Sequence, residues 1–391
     1  MKKKIIILNN SAIFGGPQKS IIQNINILKK EFEFVIVTPK GSSLKNFLDN
    51  KIKCIISPQL PQFENTLFNY YYGLKWLIIF REFFRIFKFT IFLIINKKSR
   101  DFQEIDIVHS NEINLIPSVY LVKKILKPKK VISHCRSLQN SKKTFISKIL
   151  KKFYYNNLDE IIFIDSVVAK TLDSKIKRNI VYNTFHKDNV LKAKKSKNKF
   201  IIGVAGNMSD VKGTNFIIET FKELKKKNIN NMYLYLLGDI PTNSITSIIG
   251  EVIGVKKNYH KYLKKIQNLD NLFFLGYRDR IEYFYQNIDL LCFPTEINAV
   301  GRTIIEGSQF KLPCLITINS KIKDLDLAND QNTFFFKGRN TKDFANKLIE
   351  ISKDKVKCKL FGEKIFRHIR KKCNIAENSK KLRYIYNNLS N

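Results

Sequence analysis

No apolar run in this sequence comes near the roughly 18 to 20 residues that a membrane-spanning helix requires, because lysines and arginines interrupt every candidate. A soluble or peripheral protein is expected. Cysteines are few and scattered: Cys54, Cys135, Cys292, Cys314, Cys358 and Cys373 include no C-x-x-C pair, which argues against zinc and against a disulfide framework. Free thiols in a reducing cytoplasm are the plain reading. Histidines and carboxylates show no spacing that suggests a metal, so none is expected. Acidic residues are also in short supply, with 33 Asp plus Glu against 70 Lys plus Arg and a formal net charge of +37. Such a field favours anionic partners. Nucleic acid, an anionic membrane surface, and a compositional bias toward Lys, Asn and Ile all account for it. Zinc-finger spacing and RNP-type aromatic motifs are missing, so charge alone supports the nucleic-acid reading. Repeats of solenoid length and long low-complexity tracts are absent too.

What the chain does contain is the rhythm of an α/β protein. Its 391 residues are too many for one ordinary core and point to two lobes. Met1 to Leu8 has a basic head, but the apolar part stops at Asn9-Asn10, too soon for a signal peptide, and reads as a first buried strand. Further strands are expected at Phe34 to Thr38, Cys54 to Ser57, Ile105 to His109, Val131 to His134, Glu160 to Ile164 and Ile180 to Tyr182. Helical periodicity covers Gln18 to Lys30, Leu115 to Leu126 and Lys143 to Tyr155, giving βαβ units around a parallel sheet. Lys187 to Lys199 has no apolar periodicity and repels itself, which makes it the linker candidate. A second series of strands then starts at Phe200, Met232, Leu272, Asp289, Cys314 and Thr333. The domain reading is residues 1–190 and 191–375, with 376–391 able to pack back onto the first lobe, and a cleft between the lobes.

Three stretches carry candidate chemistry. Gly15-Gly16 follows the first strand and precedes a helix, where bare backbone N–H groups can approach a phosphate or sugar. The pair lacks G-x-G-x-x-G spacing, and a plain turn is its more frequent meaning. The run Gly203 to Gly213 repeats the pattern and adds Lys212, an ammonium suited to a diphosphate. Phe293 to Gly307 is the densest: a buried strand ends near Pro294, a polar loop follows, and Gly301 opens a helix bearing Glu306. His109 and His134 both end strands, where a histidine can face a ligand but is more often structural. His186, His260 and His368 read as non-functional. Tyr70 to Phe89 mixes aromatics, aliphatics and cations, the composition of an interfacial helix or of an ordinary packed one.

Taken together these segments resemble the large glycosyltransferase family four, whose members have the GT-B fold. The resemblance runs in order through Gly15-Gly16, Asp106-Ile107-Val108-His109, His134, Asp165-Ser166, Val181-Tyr182-Asn183, Lys212-Gly213, Leu237-Gly238-Asp239, Phe274-Leu275-Gly276-Tyr277, Asp289 to Thr295, and Gly301 to Glu306. It implies two Rossmann-like lobes with parallel sheets, an acceptor-side first lobe and a donor-binding second lobe. The implied activity is sugar transfer from a nucleotide-diphosphate sugar, with retention of configuration and no metal or other cofactor.

Carried over residue by residue, the resemblance implies that Lys212 holds the donor diphosphate and Glu306 accepts from the ribose hydroxyls. Val300, Gly301, Arg302 and Thr303 would offer N–H groups to sugar or phosphate, with Gly15 and Gly16 closing over them. Gly238 and Tyr277 belong to the donor side, and His134 would contact the donor sugar. Two family positions differ. The first glutamate of the E-x7-E pair is Asn298, which cannot stabilise positive charge at the reacting carbon, and Glu296 is out of register. The arginine preceding the lysine is Asn207, so Arg302 or Arg136 is the candidate replacement cation; the glutamate following the glycine pair is Gln18. The expected protein is a bacterial surface-glycan transferase using a lipid-linked or polysaccharide acceptor, peripheral at the cytoplasmic face of the membrane. Trp76, Arg81, Arg85 and Arg136 are the expected acceptor or membrane contacts. A nucleotide-sugar epimerase and a catalytically silent binding subunit are the rival readings.

Overall fold

The computed structural model describes residues 2–67, 71, 76–140, 145–172, 176–184, 198–206, 208–238, 266, 269–278, 280–295, 297–318 and 325–388. The expected linker therefore lies mostly outside the described residues. The chain divides into two compact units, Met1–Thr184 with Ile375–Asn391, and Phe185–Asn374. Each is an α/β unit built on an entirely parallel sheet.

In the first unit the strands are β1 (Lys3–Leu8), β2 (Phe32–Thr38), β3 (Lys53–Ile56), β4 (Ile107–Ser110), β5 (Lys130–Cys135), β6 (Glu160–Phe163) and β7 (Lys177–Ile180), in the spatial order 3-2-1-4-5-6-7. Its interior strands are apolar on both faces because helices cover both. On β1, Ile5 and Ile7 join Phe34, Ile36, Ile107 and Ile132 in one core, while Ile6 and Leu8 join Val35, Val37 and Val108 in the other. Hence the uninterrupted run Ile5-Ile6-Ile7-Leu8.

The edge strand is displaced from expectation. Apolar content pointed to Ile180 to Tyr182, but pairing begins at the polar Lys177. Glu160 explains the shift: it is fully buried on β6, and the Lys177 ammonium approaches it at 3.5 Å. An edge strand tolerates such polar residues because one side is not part of the ladder.

Helices α1 (Gly16–Leu28), α2 (Ser42–Asp49), α3 (Ile78–Asn96), α4 (Ile116–Leu126), α5 (Phe145–Asn157) and α6 (Ser166–Thr171) connect these strands. Asp165 turns out to cap α6, its carboxylate accepting from the Val168 N–H at 2.7 Å. The C-terminal helix Ile375–Asn388 belongs to this unit too. Its Leu382, Ile385 and Tyr386 enter the core of the face covered by α1. Arg383 pairs with Glu31 at 2.8 Å, and Asn378 accepts from the Tyr182 N–H at 2.8 Å.

The second unit holds β8 (Phe200–Ala205), β9 (Met232–Leu237), β10 (Leu272–Gly276), β11 (Leu290–Phe293), β12 (Cys314–Ile318) and β13 (Phe334–Lys337), in the order 10-9-8-11-12-13. Both sheets reverse winding beside their first strand, between β1 and β4 and between β8 and β11. Loops leaving the carboxyl ends of those neighbours diverge, which opens a crevice where ligands bind in folds of this kind. Among the described residues no helix is long and apolar enough to cross a membrane.

Because the C-terminal helix supplies core to the first unit, Leu382→Ala should destabilise that unit by about 2 to 5 kcal/mol. The exposed Lys380→Ala on the same helix should stay within about 0.5 kcal/mol of the parent. Urea unfolding of the two variants checks this, and equal midpoints would show that the helix is not part of the core.

Candidate functional site

At the switch point of the second unit, two loops are locked together by a contact that only glycine permits. After β8, residues Ser209 to Thr214 form a tight turn in which Lys212 N–H and Thr214 N–H both reach the Ser209 carbonyl at 3.1 Å. Gly213 ends it with φ +79°, and a Cβ there would sit 1.6 Å from the Pro294 carbonyl oxygen. The turn is thereby pressed against the loop leaving β11. Thr295 Oγ1 donates to the Val211 carbonyl at 3.1 Å across the same junction. Helix α7 (Thr214–Lys226) starts directly behind it.

Lys212 gains its surroundings from this docking. Its ammonium lies 5.3 Å from the centre of the Phe293 ring, and among the described residues it meets no carboxylate. Burial lowers its pKa, since desolvation disfavours the charged form. A desolvated ammonium beside an aromatic face is a cation poised for an anion. Asn207 lies outside the described residues, as do Glu296 and Asp239.

Beyond Pro294 the loop is held by Arg339, which donates to the Pro294 carbonyl at 2.8 Å while its guanidinium lies 4.1 Å from the centre of the Phe216 ring. Asn298 is half-buried in this loop, and Val300 is buried. Gly301 precedes helix α9 (Arg302–Ser308; α8 is Glu282–Asn287), and a Cβ on it would meet the Phe293 ring at 2.7 Å. Thr303 Oγ1 is buried with no hydrogen-bond partner among the described residues.

Glu306 is buried, and both its oxygens are engaged within the protein. Oε1 accepts from Arg302 Nε at 3.0 Å, and Oε2 from the Tyr285 hydroxyl at 2.9 Å. Burial first, then the adjacent carboxylate, pushes the Tyr285 phenol well up, so it remains a donor. A carboxylate oxygen has two lone-pair directions, so Glu306 can still accept from a ligand while these two donors fix its orientation. Arg302, expected as a replacement cation for a diphosphate, therefore has its Nε committed to Glu306. Gly238 and Tyr277 stand at the ends of β9 and β10, where the Gly238 N–H donates to the Gly276 carbonyl at 3.1 Å; Tyr277 is exposed.

The first unit assembles a second polar cluster at its own switch point. Gly15 caps α1, its N–H donating to Gln18 Oε1 at 3.1 Å, and Gly16 is the first helical residue. Gln18 Nε2 in turn donates to Asn9 Oδ1 at 2.7 Å. Arg136 Nε donates to the Asn111 carbonyl and side chain, both at 3.0 Å, and its Nη1 to Asn183 Oδ1 at 3.1 Å. Asn9, Gln18, Asn111 and Arg136, with Gln62 and Glu64, line a cavity of about 400 Å³ within this unit. His134 is buried on β5, with its Nδ1 2.7 Å from His109 Nε2; His109 Nδ1 is 2.7 Å from the Tyr386 hydroxyl.

Sequence spacing therefore located Lys212 on the turn after β8, Asn298 in the loop after β11 and Glu306 on α9, all in segments that follow the carboxyl ends of two adjacent strands. It did not reveal Tyr285 or Arg339, which lie far along the chain in segments without a recognisable pattern. Nor did it show that His109 and His134 form a pair, although adjacent parallel strands ending in histidine are the signal. His368 meets the Asp326 carbonyl at 2.8 Å, a structural role; His186 and His260 lie outside the described residues. None of the six cysteines is in a disulfide, and among the described residues no cluster of three or more His, Cys, Asp or Glu side chains is arranged to hold a metal.

Arg81 and Arg85 are tied back to the protein: both donate to the buried Glu82 Oε1, at 2.7 and 2.8 Å, and Gln62 N–H donates to its Oε2. Trp76 is partly exposed and stacks on Tyr71 with ring centres 5.5 Å apart. The large apolar residues of α3 left to solvent are Phe80, Phe83, Phe84, Phe87, Ile91, Ile94 and Ile95. Tyr70 and residues 72–75 lie outside the described residues.

Comparison with known proteins agrees with this architecture. Residues 187–368 match the family model described as glycosyl transferases group 1. The capsular polysaccharide biosynthesis glycosyltransferase CapH of Staphylococcus aureus is 24% identical over 321 residues, which cover 79% of each chain. Among solved structures, HepE of Anabaena in complex with UDP-glucose superposes with a TM-score of 0.72 at 14% identity, over 98% of this chain and 99% of that one. A variant of S. aureus TarM, in complex with fondaparinux, α-GlcNAc-glycerol and UDP, gives 0.66 at 13% identity over 98% and 100%. The chain thus has the GT-B glycosyltransferase fold, with a C-terminal domain like that of the glycosyl transferases group 1.

Proposed function

We propose that the protein is a retaining glycosyltransferase that moves a sugar from a nucleotide-diphosphate donor to a lipid-linked or polysaccharide acceptor in bacterial surface-glycan synthesis. The observation that carries this reading is the partly buried Lys212 ammonium at the β8–β11 switch point, on a turn locked to the loop of Asn298 and followed by the oriented carboxylate of Glu306. Such an ammonium meets a diphosphate with little further desolvation and neutralises charge on the leaving nucleotide. Glu306, held by Tyr285 and Arg302, accepts from the ribose hydroxyls. Asn298 faces the sugar as a neutral hydrogen-bonding amide. In this reading the first unit serves the acceptor, and the capsular and UDP-bound relatives support the choice of substrate class. No metal or cofactor is needed, since Lys212 supplies the cation.

The exposed face of α3 supports a place at a membrane. Phe80, Phe84, Phe87, Ile91 and Ile94 recur at helical spacing along one stripe, opposite the buried Glu82, Phe89 and Leu93. Exposed Arg81 and Lys88 lie along one side of the stripe. An apolar stripe with a cationic border suits the headgroup region of an anionic bilayer. We place the protein in the cytoplasm at the inner face of the plasma membrane on this ground.

Four measurements test the reading. A panel of UDP-, GDP-, ADP- and CMP-sugars should contain at least one donor that stabilises the protein by about 2.7 kcal/mol at 100 times its Kd. Lys212→Ala should weaken that donor by about tenfold or more, and Glu306→Ala should also weaken it. Unchanged donor affinity in both variants would remove the site assignment. Because a bound diphosphate favours the charged lysine, binding takes up a proton, and affinity should fall as pH rises through the lowered pKa of Lys212. Lys212→Arg should move that fall to higher pH, which isothermal titration across pH would show. Finally, Phe84→Ser with Phe87→Ser should reduce co-sedimentation with phosphatidylglycerol vesicles more than tenfold, since two phenylalanines contribute about 3 kcal/mol or more of apolar transfer. Equal sedimentation of variant and parent would remove the membrane assignment.

A further inference from the structure

Three buried side chains in the first unit form a hydrogen-bonded chain. Tyr386, His109 and His134 are 1%, 5% and 2% exposed. The two imidazoles lie 18° from parallel with centres 4.7 Å apart, and their facing nitrogens are 2.7 Å apart, so they meet edge to edge and share one proton. On the other side of His109, its Nδ1 lies 2.7 Å from the Tyr386 hydroxyl. Burial, reinforced by the nearby Arg136 guanidinium, pushes His109 down to about 3 and His134 well below the usual imidazole range. Both rings are therefore neutral, with one N–H apiece. Burial also pushes the Tyr386 phenol up, so it keeps its proton.

A neutral His109 cannot donate at both nitrogens, so the chain has a direction. Either protons point from Tyr386 toward His134, or from His134 toward Tyr386. A phenol is a far more acidic donor than a neutral imidazole, and an imidazole nitrogen is a better acceptor than a phenol oxygen. The first direction makes the stronger pair of hydrogen bonds.

We propose that Tyr386 and His109 are positioning residues for His134: the Tyr386 hydroxyl donates to His109 Nδ1, His109 Nε2–H donates to His134 Nδ1, and His134 is fixed as the Nε2–H tautomer. The consequence reaches beyond packing. His134 then has one polar group left for a ligand, and that group is a donor. It serves an oxygen acceptor, such as a sugar hydroxyl oxygen or a phosphate oxygen, and is unsuited to taking a proton from an incoming hydroxyl. The C-terminal helix acquires a second role, because Tyr386 comes from it and lies 277 residues from its partner in sequence. The functional part of this inference rests on the transferase reading, while the tautomer does not.

Long-range 1H–15N spectra of the histidine rings in the intact protein test it. The chain has five histidines, and a His134→Gln variant assigns the peaks of interest. At neutral pH, His134 should show the neutral Nε2–H pattern, with a through-hydrogen-bond 15N–15N coupling to His109 in which His109 carries the proton. Tyr386→Phe should abolish the single pattern and give a mixture of tautomers at both rings. A His134 that is Nδ1-protonated or cationic in the wild type overturns the proposal, as does a Tyr386→Phe spectrum identical to the parent. If Tyr386→Phe fails to fold, the wild-type coupling and the ring carrying its proton decide the matter alone. No donor or acceptor is needed, so failure of every nucleotide sugar to bind would sink the transferase reading and leave this result standing.

Discussion

The site in the second unit depends on one close approach, that of Gly213 to the Pro294 carbonyl. A Cβ at Gly213 would lie 1.6 Å from that oxygen, and the residue adopts φ +79°, so both sterics and backbone conformation exclude other residues. The arrangement of the candidate residues in this unit follows from the seal. It brings Lys212 beside the Phe293 ring and partly buries its ammonium. It also sets the exit direction of the loop bearing Asn298. Arg339 reinforces it from the far side by holding the same carbonyl at 2.8 Å. One carbonyl oxygen thus receives a guanidinium and packs against a glycine, which leaves the loop little freedom to move independently of the turn.

The two units use burial in opposite ways. In the second, burial acts on a cation and on an ion pair, leaving Lys212 ready for an anion and Glu306 aligned by Tyr285 and Arg302. In the first, burial acts on imidazoles and keeps them uncharged, with proton positions set by neighbours rather than by solvent. Desolvation disfavours the charged form in both cases, but a lysine has far to fall before it loses its proton at neutral pH, whereas an imidazole has almost no margin. The same physical effect therefore yields a charged group in one unit and a fixed neutral donor in the other.

Much of this was legible in the sequence because parallel strands covered on both faces are runs of apolar residues, and such runs are hard to misread. Every expected strand was found, most with ends moved by a residue or two. The exception, at Lys177, failed for a physical reason: an edge strand can be polar, and this one is placed by a buried Glu160 that no local pattern announces. Lys212, Glu306 and Asn298 were legible through motif spacing. Their supports were not, since Tyr285 and Arg339 act through contacts between distant segments. Arg81 and Arg85 show the limit of reading charge from composition. Both looked like free surface cations, yet both converge on the buried Glu82, and the large apolar side chains that their helix exposes form a stripe beside them.

The large positive charge also has a place that composition could not give. In the first unit, Lys2, Lys4, Lys53, Lys98, Arg100 and Lys129 line a broad groove of about 1380 Å³ at the amino ends of the strands. The candidate chemistry of that unit lies at the carboxyl ends. Part of the groove's charge is already answered locally, with Lys53 meeting Asp101 and Lys129 meeting Asp106 at 2.7 Å. Surface pairs of this kind contribute little stability, and the remaining lysines are solvated and screened beyond about 8 Å at physiological salt. A net charge of +37 therefore says little about the turn that carries Lys212. There a single partly buried lysine, its pKa lowered by that burial, is a stronger partner for an anion than many fully hydrated ones.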